Sequence, residues 1–328
     1  MSLKFKMFFL VLLAGTMDAL YACDMCGCFM GIQPGDRRSY AGVFYRYRSF
    51  AGSGVEGSAY FPDGSLKLQH SDHAGTPETE KAYEVYRGME FRGRVYIHPR
   101  VELSVVAPYV MNTAFDGADT YSLNGFGDLT LLGGWQFIDE LETGRFRHRL
   151  LLGAGLKLPT GNCDMQSSGM RHSIMMQCGT GSTDGLLYTN YQMGIGVFGL
   201  SLTPALKWNG RNRFGERVDR SMTGVASLFC SLKMSDQLSF MPAFQAYYEH
   251  TDGVFEEDVL IPGTEMNALL LGAGLETYYR DISISLSAMR RAYEVDSGSG
   301  LENKARLMLG FTWFFDQSAF IFKSRKSG

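Results

Sequence analysis

Between residues 39 and 315 the chain repeats one pattern, stretches of about ten residues or more in which apolar and polar side chains alternate. In 281–288, Ile282, Ile284, Leu286 and Ala288 face one way and Ser283, Ser285 and Ser287 the other. Val101, Leu103, Val105, Ala107, Tyr109 and Met111 alternate with Arg100, Glu102 and Ser104 at the start of their run. Leu200, Leu202, Pro204, Leu206 and Trp208 likewise oppose Ser201, Thr203 and Lys207. A period of two with one apolar face is the pattern of a β-strand. The spacing predicts strands over 39–50, 81–97, 100–112, 125–138, 147–158, 185–198, 199–209, 219–233, 238–250, 264–279, 281–293 and 301–315.

A soluble sandwich and a membrane barrel both alternate in this way. Three features favour the barrel. The strands exceed the five or six residues usual in soluble proteins. Short connections at Arg280-Asp281, Phe198-Gly199 and Ser235-Asp236-Gln237 alternate with long polar ones at 51–80, 159–184 and 251–263. Finally, the polar faces carry charge: Arg46, Arg48, Glu84, Glu90, Arg92, Arg94, Arg100 and Glu102 share one side of the first three strands. A dry core holds such groups only at high cost, whereas a hydrated lumen accepts them. These charges also read as braces that pair across neighbouring strands and narrow the lumen. The expected fold is therefore all-β, an antiparallel transmembrane outer-membrane β-barrel of about 12 strands with both termini periplasmic. Arg87 falls on its lipid face, a placement that calls for a bulge or a position near the rim.

Composition narrows the partners. With 31 Lys+Arg against 34 Asp+Glu the net charge is −3, which offers nucleic acid no basic surface. The longest unbroken apolar run, residues 7–15, is too short for a membrane helix of about 20 residues. Preceded by Lys4 and Lys6, it reads as the core of a signal peptide over 1–22. Leu20-Tyr21-Ala22-Cys23 is a poor lipidation signal because Tyr21 is large. The expected order is a signal peptide (1–22), a Cys-rich periplasmic segment (23–38), the barrel (39–320) and a tail (321–328).

Three phrases then stand out. Gly125-Phe-Gly-Asp-Leu-Thr-Leu131, Gly155-Leu-Lys-Leu-Pro-Thr-Gly161 and Gln177-Cys-Gly-Thr-Gly-Ser182 with Asp184 resemble stretches of the outer-membrane "transporter" barrels named after meta-pathway phenol degradation. Cys178 stands where that family usually has Pro. Cys23-Asp-Met-Cys-Gly-Cys28 is similar to an opening found on related barrels of Bacteroidetes-type bacteria. Gly310-Phe-Thr-Trp-Phe-Phe315 resembles the last-strand signal read by the barrel assembly machinery. The resemblance implies a barrel in the outer membrane of a Gram-negative bacterium, surrounded by lipid, that passes small solutes.

Catalytic constellations are absent from the sequence: it has no Gly-x-Ser-x-Gly elbow, no His-Glu-x-x-His and no phosphate-cradling loop. The expectation is that the chain is not an enzyme. His70 and His73 flank Asp72 in a polar stretch that reads as solvated surface. Cys163 and Cys178 share one long loop in an oxidising compartment, so a disulfide is expected between them. Cys230 shares its parity with Ala226, Leu228 and Leu232 and reads as a small apolar residue. For Cys23, Cys26 and Cys28 three readings stand, a site for Cu(I) or another soft metal, a local disulfide, and a tether in which one cysteine is lipidated. Met165, Met170, Met175, Met176 and His172 make 159–184 rich in soft donors, although methionine more often simply packs. The functional expectation is a channel or transport component for small solutes. The alternative is a metal-handling or envelope-interaction protein anchored by the barrel.

Overall fold

The computed structural model describes residues 38–53, 81–115, 120–167, 169–295 and 300–315. The expected signal peptide (1–22), Cys23, Cys26, Cys28, His70, His73 and the expected tail (321–328) lie outside them. Twelve long strands make the wall: β1 (Ser39–Ser53), β2 (Lys81–His98), β3 (Val101–Phe115), β4 (Leu129–Thr143), β5 (Phe146–Leu158) and β6 (Asp184–Ile195), then β7 (Phe198–Trp208), β8 (Ser221–Cys230), β9 (Leu238–Thr251), β10 (Met266–Tyr279), β11 (Ile282–Glu294) and β12 (Leu301–Phe315). Each pairs antiparallel with the next. Ser39 of β1 pairs with Phe315 of β12, so the sheet closes with no free edge.

All twelve strands present large apolar side chains outward, among them Phe91, Leu131, Leu228, Phe244, Leu286 and Phe311. Such a belt around the whole wall is far larger than the exposed patch a monomeric soluble protein tolerates. Its solvent is therefore lipid. With its strands hydrogen-bonded into one closed ladder, the barrel can cross a bilayer.

Both described ends of the wall, Ser39 and Phe315, meet at the rim of short turns. One of these turns corrects the sequence reading. β6 ends at Ile195, and the turn falls on Gly196-Val197 rather than Phe198-Gly199, because Gly196 takes a φ of 56°. The fourth strand also differs from its expected 125–138 span. A short strand, Thr120–Phe126, pairs with the outer half of β3, the chain breaks at Gly127-Asp128, and β4 begins only at Leu129.

Connections at the opposite rim are long and partly ordered. Strands Glu216–Val218, Val254–Glu256 and Val259–Ile261 form a small sheet there. Its hairpin turns through Glu257 and Asp258, both at positive φ, as a two-residue type I′ turn requires.

Candidate functional site in the barrel lumen

Inward-facing charges are arranged in tiers. Near the short-turn rim the Tyr96 hydroxyl donates to Glu102 Oε2 at 2.8 Å, and the Arg94 guanidinium lies 3.7 Å from the same carboxylate and over the Tyr40 ring. Higher up, Glu90 takes Arg46 Nε at 2.8 Å from β1 and Arg92 Nε at 2.8 Å from its own strand. Glu84 is buried and accepts from the Tyr86 hydroxyl at 2.7 Å. Arg100 does not belong to this lining. The β2–β3 register shifts between Tyr96 and His98, and Pro99-Arg100 forms an exposed turn, so the side chain leaves the inward row.

The most consequential tie crosses the lumen. Arg48 of β1 and Arg306 of β12 are direct cross-strand partners, two like charges side by side. Glu249 of β9, three strands round the wall from β12, reaches both, with Arg48 Nη2 at 3.0 Å. Tyr247 supports the carboxylate with a 3.3 Å hydrogen bond, and the Arg306 guanidinium stacks over its ring. Phe44, Phe50, Val225, Tyr247, Leu270 and Met308 join one buried cluster at this level, although they come from β1, β8, β9, β10 and β12. Side chains narrow the lumen here.

The mouth on the long-loop side is closed differently. Residues 173–180 were expected within a polar outer loop, yet every one of them is buried. Ile174 and Met175 pack against Val218 and Val254 of the small sheet, while Met176 packs on Ala114 and Leu123. Asn112 of β3 donates to the Met176 carbonyl at 3.0 Å. Around them, Gln177 ties the loop to itself through Met165 and His172. Four of these residues are apolar, and folding inward removes them from water.

A buried polar cluster fastens this loop. Lys157 Nζ sits 2.8 Å from Asp128 Oδ2 and 2.7 Å from Asp184 Oδ2, and Lys207 Nζ lies 2.9 Å from Asp184. Asp128 also accepts from the Thr180 amide at 2.8 Å and from the Gly161 amide at 3.0 Å. The Ser182 hydroxyl donates to Asp184 at 2.7 Å. Beside the ion pairs, three glycines touch. A Cβ on Gly161 would stand 2.8 Å from Gly179 Cα and 2.9 Å from Gly127 Cα, and one on Gly179 would meet Asp128 Oδ1 at 2.5 Å. Only a residue without Cβ permits that approach.

Asp128 and Gly127 belong to the first of the three phrases singled out in the sequence, Lys157 and Gly161 to the second, and Gly179, Thr180, Ser182 and Asp184 to the third. Their chemistry was readable only as a family likeness. Lys207, Glu249 and Arg306 carried one signal, a charge at the inward parity of an alternating strand.

The expected disulfide is not formed: Cys163 and Cys178 are both free thiols. The two sulfurs turn to different neighbours, Cys178 Sγ toward Met165 Sδ at 3.6 Å and Cys163 Sγ toward Gly181. Burial raises the Cys178 thiol pKa above its ordinary value. Cys230 is a free, half-buried thiol. His172, held by Ser167 at 2.7 Å and against the Tyr121 ring, has its pKa lowered by burial. Among the described residues no group of three or more His, Cys, Asp or Glu is placed to hold a metal ion.

Fold and lumen together define a membrane-spanning, outer-membrane-type β-barrel with a loop folded into its mouth. Among solved structures it is similar to an outer membrane channel from Pseudomonas putida F1, at 15% identity over 87% of this chain and 100% of that one, with a TM-score of 0.61. Lower scores relate it to the β-domain of the Bordetella autotransporter Brka (10% identity, 85% and 100% covered, TM-score 0.46). They relate it also to the transport unit of the autotransporter AIDA-I from Escherichia coli (11%, 88% and 93%, 0.45). No protein-family model and no curated protein matches the chain.

Proposed function

We propose that the protein is an outer-membrane channel or transport component for small solutes, with long loops outside, termini in the periplasm, and the 159–184 loop as its closure. One observation carries this reading. A twelve-stranded wall lies between the filled eight-stranded and open sixteen-stranded cases, and here the mouth is closed by a separate segment pinned through Asp128, Lys157 and Asp184. A closure made of hydrogen bonds and ion pairs can be withdrawn without breaking the wall. A barrel serving only as an anchor needs no such segment. The fold shared with the Pseudomonas channel supports the reading, as does the likeness of the three phrases to the phenol-degradation transporter barrels. The last-strand likeness suits insertion by the barrel assembly machinery.

Conductance across a planar bilayer tests it. Gly179→Ala, which drives a methyl into Asp128, should dislodge the loop and raise single-channel conductance severalfold over the wild type, with heat-modifiable migration unchanged. Equal conductance in two folded proteins would count against the loop as closure. The soft-metal role of Cys23, Cys26 and Cys28 rests on spacing alone, and Cu(I) content of the reduced protein decides it.

A further inference from the structure

The outer wall holds a group that neither the lumen nor the lipid explains. Arg87 is exposed on the outward face of β2, and the register runs straight through it, opposite Tyr47 of β1 and Met111 of β3. No bulge turns it away from the membrane. Its Nη2 donates to Thr113 Oγ1 at 3.0 Å, and Thr113 Oγ1 lies 3.3 Å from Ser122 Oγ. Among the described residues no carboxylate pairs with it. Arg87, Thr113, Ser122 and Asn124 line a cleft of about 350 Å³ whose apolar side is Tyr109 and Met111.

Depth decides what can enter. Ile97, near the short-turn rim, and Arg87 lie ten residues apart on one strand, with Met89 and Phe91 exposed between them. At about 3.3 Å per residue and a tilt near 40°, that run rises about 25 Å, the height of a barrel's apolar band. Arg87 therefore sits at the headgroup level of the long-loop side. There a guanidinium escapes most of the cost of about 2–4 kcal/mol that it would meet at the midplane. A guanidinium, two hydroxyls and a carboxamide form a donor set for phosphate oxygens, to which arginine can bond through two N–H groups at once. The ring of Tyr109 and the chain of Met111 lie where an acyl chain would begin.

We propose that this cleft binds the phosphate of a phosphorylated lipid in the leaflet at the long-loop rim. The proposal rests on the membrane-barrel reading but not on the channel reading. The test is native mass spectrometry of the full chain in detergent with bisphosphorylated lipid A, the same lipid dephosphorylated, and inorganic phosphate. The wild type should retain one phosphorylated lipid and not its dephosphorylated form, and Arg87→Gln should bind it about tenfold more weakly. Ser122→Val, which leaves Arg87 in place, should weaken it severalfold and covers the case in which Arg87→Gln does not fold. Equal retention by wild type and folded variants, or equal retention of both lipid forms, would overturn the site. Displacement of the lipid by inorganic phosphate at matched concentration would overturn the lipid assignment. Loss of heat-modifiable migration in the wild type would instead indict the barrel.

Discussion

At the scale of single residues, parity decides cost. Leu286 and Ser285 are neighbours on β11, yet Leu286 is 54% exposed to the lipid side and Ser285 faces the lumen. Leu286→Arg should cost about 2–4 kcal/mol near the midplane. Ser285→Arg should cost less, and denaturant unfolding from lipid vesicles measures both. Equal costs would mean that the inward and outward rows are misassigned. Glu249 is a sharper case, because it pairs with both of two arginines placed side by side by the β1–β12 register. Glu249→Gln should destabilise the barrel by about 3–5 kcal/mol in the same assay, since it leaves buried charge uncompensated. Arg46→Met should do much less, because Arg92 still pairs with Glu90 and Arg46 is partly exposed.

At the scale of elements, the loops carry the pH response. Burial lowers the pKa of His172, so its folded form prefers the neutral ring. That preference stabilises the 159–184 loop fully above the ordinary histidine value and is lost as pH falls through the lower folded one. Asp252, beyond the end of β9, behaves oppositely. Burial and the nearby Asp219 carboxylate raise its pKa to about 6, against opposing pulls from His250 and Arg220, with Glu265 adding to the rise. Its contribution is complete below the ordinary value of 3.8 and is lost as pH rises through about 6. Amide exchange corrected for intrinsic rates should show 252–265 losing protection between about pH 4 and 6. The 172–177 stretch should lose it only on acidification. The strands themselves were legible to within a few residues, because alternation is a local property of the chain. Two of the misplaced boundaries fall at glycines, Gly196 at positive φ and Gly127 where the pairing with β3 stops.

Across the whole molecule, the sequence by itself determined that this chain makes long strands with one apolar and one charged face, and that short and long connections alternate. Those are facts of near neighbours, since each side chain's face follows from the pleat. From them come the closed wall, the lipid belt and the inward charges of β1 and β2. Only the tertiary structure decided which groups meet. Arg48 and Glu249 are 201 residues apart and touch because the sheet closes on itself. Gly127, Gly161 and Gly179 come together because β4, β5 and the returning loop converge at one mouth. The inward fold of residues 173–180 was hidden because a polar-looking loop turns in only when distant partners, Asp128 and Lys157 among them, are there to satisfy it. Closure supplies those partners, and nothing local announces them.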